Sequence, residues 1–317
     1  MLLALAMIPV IGLLAFIYFK DKKEKEPKGL LIALFFAGMG TTVSAMIIEG
    51  IGQYILDYAV PYDEVLNVVL FTMLIVGPAE ELGKYFVLRL ITWKNKNFDH
   101  SYDAIVYSVF VSLGFAALEN VGYVFMNGVG TAILRMLTAV PGHACFAVFM
   151  GFFYSRSKYA KLTGKKKSYR INTLLSLIVP IIVHGIYDAV IMACVASEDD
   201  LTLGIGFFLW LGFVNVMFVV AFIIVFRSSR NDYCIVTLPD QVQTVYIPKV
   251  VGNWTCSCGC ENSLNFCTEC GKKRPTVETW NCPKCGSLST LNFCGICGCP
   301  RPVTQTRAPD GPQVSYS

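Results

Sequence analysis

Seven apolar runs, at about residues 2–19, 29–56, 65–93, 102–127, 131–154, 171–196 and 201–226, dominate the first 230 residues. A helix needs roughly 20 residues to cross a ~30 Å hydrocarbon core, so each run predicts one crossing. Short polar breaks separate them. Past residue 230 the apolar runs stop and the chain turns polar, Gly- and Cys-rich. The pattern predicts an all-α polytopic membrane bundle of about seven transmembrane helices over residues 1–230, followed by a small β-rich tail. The first run lacks a basic leader and a small-residue cleavage site, so it reads as a mature span rather than a signal peptide.

Charge placement sets an expected topology. Lys20, Lys22, Lys23, Lys25 and Lys28 follow the first run, and Lys94 and Lys96 the third. Arg156, Lys158, Lys161, Lys165, Lys166, Lys167 and Arg170 follow the fifth, and Arg227 and Arg230 the seventh. The alternate breaks are acidic or neutral: residues 57–64, 127–130 and 197–200. By the positive-inside rule, the N-terminus lies outside the cell membrane and the C-terminus in the cytoplasm. Arg135 is the exception and is expected to snorkel outward. Overall composition agrees with a membrane domain: 55% hydrophobic, 15% charged, and a mean hydropathy of +0.56. Soluble domains run near ~45–50% and ~25%.

The tail holds ten of the thirteen cysteines, between Cys256 and Cys299. Two stretches, from Trp254 and Trp280, repeat the same Trp, Leu-Asn-Phe-Cys and Cys-Gly landmarks. Cys256, Cys258, Cys267 and Cys270 form one set of four; Cys282, Cys285, Cys294 and Cys297 form the other. Two thiolate pairs, with a Gly after the second and fourth ligand, suit a closed tetrahedral zinc site, so two structural zinc ions are expected. Cys260 competes with Cys256 for the first. Such thiols stay reduced in the cytoplasm, in agreement with the charge rule. The organisation expected is a linker at 231–253 with a short hairpin, zinc ribbons at 254–275 and 280–302, and a disordered end at 303–317. Closed sites of this kind suit a cytoplasmic protein partner. The rim of Lys272, Lys273 and Arg274 is too short to imply nucleic-acid binding.

Chemistry concentrates inside the spans. Glu80, Glu81 and Lys84 share one helical face of the third. Glu119 and Asn120 lie in the fourth and His143 in the fifth. His184 and Asp188, at i and i+4, lie in the sixth. An unpaired charge at bilayer depth costs at least ~2.5–3.5 kcal/mol, so these groups predict one shared wet cavity. A carboxylate can activate water for peptide hydrolysis, histidines can ligate a metal or shuttle protons, and Asp188 can orient His184. The same groups would also serve an ion- or proton-coupled transporter, or a client-binding scaffold without activity. No inverted repeat favours transport. Asp103 reads as an N-cap and Glu49 as an interfacial or interhelical group. Gly38, Gly40, Gly50 and Gly52 read as close-packing positions.

In order, these residues fit EExxK (Glu80–Lys84), FxxxE (Phe115–Glu119) followed by Asn120, HxxxxxxxG (His143–Gly151) and HxxxD (His184–Asp188). The lead-in at Glu26-Pro27 fits too. The chain thus resembles PrsW-type intramembrane proteases, relatives of the CAAX prenyl proteases, over roughly residues 10–195. The resemblance implies a membrane-embedded endopeptidase. Bacterial members clip membrane-anchored regulators such as anti-sigma factors. By position, Glu80, Glu81, Glu119, His143 and His184 would be catalytic, with Lys84, Asn120 and Asp188 in support. Either Glu80 or Glu81 would be the base. A catalytic zinc at His143, His184 and Glu119 stays open, since no HExxH occurs. The zinc-ribbon tail is an addition to the protease pattern.

Overall fold

The computed structural model describes residues 2–197, 199–235, 254–262, 269–270, 272, 280–289 and 292–301. The chain divides into two units, residues 1–235 and 236–317. The first is helical: α1 (Leu2–Lys20), α2 (Lys28–Ala59), α3 (Glu64–Phe71), α4 (Gly77–Thr92), α5 (Asp103–Leu137), α6 (Ala139–Leu162), α7 (Lys166–Ala196) and α8 (Asp200–Arg230). Among the described residues, six helical stretches are long and apolar enough to cross a membrane. The fourth, residues 103–162, is 60 residues long and holds two of the seven predicted spans. It doubles back. Ser108 donates to the Ala147 carbonyl, Ser112 to that of His143, and Arg135 to the Asn120 side chain. This antiparallel register centres on Asn127–Gly128, and Gly128 leaves the helical region at φ 82°. Only glycine adopts that value without strain, so it marks the turn between two passes.

α5 is the axis, with nearly all of residues 103–117 buried. α2 reaches it through two glycines. A Cβ on Gly38 would strike the Val111 backbone, and one on Gly114 would strike that of Phe35. Backbone cannot yield as a side chain can. Gly114→Leu is therefore expected to destabilise the bundle by at least ~3 kcal/mol, at the top of the overpacking range. Thermal unfolding in detergent checks it. Of the four glycines expected to pack closely, Gly38 and Gly52 do, the latter against Ile75, whereas Gly40 and Gly50 face open space.

At the other end of α5, residues 21–26 and 95–103 fold together. Asp103 caps backwards: its Oδ2 accepts from His100 N (2.6 Å) and Asp99 N (3.1 Å), and Tyr102 holds the N-cap position expected of Asp103. His100, left without a role by its sequence context, is buried and pairs with Asp99 at 2.8 Å. Burial pushes the carboxyl of Asp21 up to about 6, against the opposing pull of Lys25. It pushes that of Glu26 up to about 7, against the hydrogen bond from Tyr107.

The second unit contains two antiparallel hairpins, β1 (Trp254–Thr255) with β2 (Glu261–Asn262), and β3 (Trp280–Asn281) with β4 (Leu288–Ser289). Past Ile235 the 231–253 linker with its expected hairpin, Cys267 and the end at 303–317 lie outside the described residues.

Candidate active site

The site depends first on how α4 is delivered. α3, N-capped by Asp63 on Leu66 N (2.8 Å), runs into α4 through a π-helical turn, Thr72–Val76. Pro78 has no N–H, and its ring would clash with the carbonyl four residues back; a widened turn just before it relieves both. The Thr72 hydroxyl bonds back to the Val68 and Val69 carbonyls within the same turn. Next, Gly77 meets α7. A Cβ there would lie 3.0 Å from the Ile181 carbonyl oxygen and 3.3 Å from Gly185 N. That contact sets Glu80 and Glu81, one turn on, beside His184.

Glu80, Glu81 and Lys84 are buried, with Glu81 and Lys84 at 0% and 1% exposure. Lys84 Nζ lies 2.8 Å from Glu80 Oε2, 2.9 Å from Glu81 Oε1 and 3.2 Å from His143 Nδ1. It also sits 3.9 Å from the Phe115 ring centre. One ammonium thus balances two carboxylates in a water-poor setting. His184 spans the cluster. Its Nδ1 is 3.0 Å from Glu81 Oε1, and its Nε2 is 3.2 Å from Asp188 Oδ2 and 3.9 Å from Glu80 Oε2. Phe146 stacks on His184 at 4.5 Å and fixes the ring plane. His143 Nε2 is 2.9 Å from Glu119 Oε2. Asn120 donates to the Ala6 carbonyl at 2.8 Å, tying α5 to α1.

The structure therefore gathers every sequence-derived candidate, from four spans, into one connected network. It also adds two groups. Arg135 does not snorkel: it turns inward and binds Glu119 Oε2 (2.7 Å) and Asn120 Oδ1 (2.9 Å). The fold-back at Gly128 brings it opposite them, an antiparallel register that a search for i, i+4 pairs would miss. Glu49, expected to be interfacial or an interhelical group, has a buried Oε1 without a hydrogen-bond partner. Its charged neighbours are Glu119, His184, Lys84 and Asp188.

One oxygen stands out. Glu81 Oε1 holds both Lys84 and His184, while Glu81 Oε2 is buried with no partner. A buried acceptor left unpaired is destabilising, so such an atom in a folded site marks a place for water, substrate or an ion.

A trio other than the expected one comes close enough together to hold a metal ion. Atoms of Glu80, His143 and His184 come within 4.8 Å of one another. Glu119 is not in that trio, because Arg135 and His143 Nε2 hold it aside. Glu80 Oε2 lies 4.0 Å from His143 Nδ1 and 3.9 Å from His184 Nε2. Donors at ~2.0–2.2 Å around a tetrahedral zinc stand ~3.4 Å apart, so a modest inward shift would fit them to it. A metal held there would have to displace Lys84 from His143 Nδ1 and Asp188 from His184 Nε2.

In the second unit, Cys282, Cys285, Cys294 and Cys297 bring sulfur atoms within 4.8 Å of one another, as do Cys256, Cys258 and Cys270. Gly286 and Gly298, at φ 71°, let the chain turn back so that Gly N–H reaches the Cys282 and Cys294 carbonyls. That geometry is the reason the sequence places Gly after the second and fourth cysteine of this set.

Comparison with known proteins gives a consistent result. The family model described as PrsW family intramembrane metalloprotease matches residues 26–226. Protease PrsW of Geobacillus kaustophilus (strain HTA426) is 37% identical over 196 residues, covering 61% of this chain and 80% of that protein. Protease PrsW of Oceanobacillus iheyensis is 34% identical over 190 residues (60% and 82%). That of Bacillus subtilis (strain 168) is 34% identical over 193 residues (61% and 83%). No solved structure matches the chain.

Proposed function

The chain belongs to the PrsW family of intramembrane metalloproteases, and we propose that Glu81 activates the water with which it cuts membrane-anchored proteins. Membership makes it a multi-pass membrane peptidase, a hydrolase whose substrates lie in the bilayer. The finer reading rests on the free oxygen of Glu81. Water bound there gives its proton to the carboxylate as it attacks the peptide carbonyl. The proton then passes from Glu81 to the leaving amine. His184 Nδ1 and Lys84 hold the other oxygen, so the base keeps one orientation. Asp188 steadies His184, and the Arg135–Glu119 pair steadies His143.

Glu80, His143 and His184 would hold a catalytic zinc, which would polarise the scissile carbonyl and lower the pKa of bound water. Glu119 and Asp188, with side chains 19% and 17% exposed, are part-open, unlike the buried Glu80, Glu81 and Lys84. With the N-terminus outside and the C-terminus in the cytoplasm, that open side faces outward. Substrates would then be single-pass regulators cut from the extracytoplasmic side, anti-sigma factors among them. The tail would carry two structural zinc ions and recruit a cytoplasmic protein partner. Cys285→Ser is expected to remove one zinc per purified chain without slowing cleavage in vitro; elemental analysis beside a rate measurement checks both.

The test compares new protein N-termini in membranes from cells making the intact chain with those from cells making Glu81→Gln at equal level. A cut in a membrane-anchored protein that vanishes in the variant supports the reading and names the substrate. Identical sets of termini overturn it.

A further inference from the structure

At the end of α5 away from the peptidase site, about 24 Å from Glu119 at 1.5 Å per residue, a second group of carboxylates is buried. Asp21 comes from the α1–α2 loop, Glu26 from just before α2 and Asp103 from the first turn of α5. They are 2%, 4% and 1% exposed. One oxygen of each lies within 4.8 Å of the others. We propose that these three residues form a site for a hard divalent cation, Ca²⁺ or Mg²⁺. The inference is independent of the peptidase reading.

Unpaired atoms point to a ligand. Asp103 Oδ2 is taken by backbone N–H groups, and Glu26 Oε2 accepts from Tyr107 Oη at 2.5 Å. Asp21 Oδ2, however, is buried with no hydrogen-bond partner. Tyr102 Oη is equally buried and unpartnered, on a residue at 0% exposure whose charged neighbours are Asp21 and Asp232. Two unsatisfied oxygens beside a carboxylate cluster are coordination left open.

Charge agrees. Asp21, Glu26, Asp99, Asp103 and Asp232 influence one another across this region. Against them stand Lys25, Lys158 and His100. Carboxylates outnumber cations in this region, an excess that a divalent ion would reduce. Lys158 Nζ cannot close the cluster. It lies 4.0 Å over the Phe98 ring, with no hydrogen-bond partner. The donors are all oxygen, and His100 Nδ1 is engaged by Asp99, which favours calcium or magnesium over zinc. A bound ion would clip the ends of α1 and α2 to the start of α5.

Terbium, a hard-oxygen probe that nearby tyrosines sensitise, tests the site on the full-length purified chain with its zinc retained. One saturable luminescence signal is expected, displaced by Ca²⁺ or Mg²⁺ in the ~millimolar range or below. Asp21→Asn and Asp103→Asn should weaken it at least ~tenfold, whereas Glu64→Gln, exposed on α3, and Glu80→Gln/Glu81→Gln should keep it. Thermal melts confirm that each variant is folded; if Asp103→Asn is not, Asp21→Asn decides alone. A folded intact chain with no displaceable signal overturns the site, leaving a proton shared between Glu26 and Asp103. A signal that survives Asp21→Asn unchanged overturns it too.

Discussion

Glu81→Gln is expected to lower cleavage of any membrane-anchored substrate by at least ~10²-fold while the protein remains folded in the membrane. The substitution keeps volume and removes only the charge and the proton-accepting oxygen. Lys84 keeps Glu80 at 2.8 Å, so the buried ammonium is not stranded. His184 keeps Asp188 at 3.2 Å, so the ring stays oriented. Function and fold therefore separate at this position. Rates measured in proteoliposomes beside a thermal melt read both. A variant that melts normally yet cuts at the intact rate would remove Glu81 from the chemistry.

Lys84→Met should act in the opposite manner, through the fold. Glu80 and Glu81 are adjacent, buried and balanced by this one ammonium. Methionine replaces the stem but leaves two carboxylates facing each other in low dielectric. Breaking a buried pair by removing one partner costs about 3–5 kcal/mol. The variant should melt earlier and fall in steady-state abundance. Adding Glu80→Gln to the same chain removes one stranded charge and should recover part of the loss. Unchanged melting in Lys84→Met would mean that water reaches both carboxylates freely.

The spans were legible because lipid imposes one rule, about 20 apolar residues per crossing, that needs no knowledge of packing. The clustering of polar groups was legible for the converse reason: Glu80, Glu81, His143 and His184 are expensive where they lie. Cysteine spacing in the tail was equally open, since the ligand positions and the turning glycines are local. What escaped is what depends on the partner helix. The π-helical turn at Thr72–Val76 leaves apolar periodicity unbroken, and only Gly77-Pro78 hints at it. Arg135 reads as a surface cation until the Gly128 fold-back sets it against Glu119. Glu80, rather than the expected Glu119, comes close to both histidines for the same reason. Glu49 shows its orientation only once α2 is docked.

The most direct test is cleavage by the purified chain, reconstituted in liposomes with one membrane-anchored substrate, with products read by mass spectrometry. Two fragments with a single new terminus are expected from the intact protein and none with Glu81→Gln. An intact, folded protein that leaves such a substrate whole, in membranes where cells carrying it do show the cut, would contradict the claim that this cluster is the hydrolytic centre.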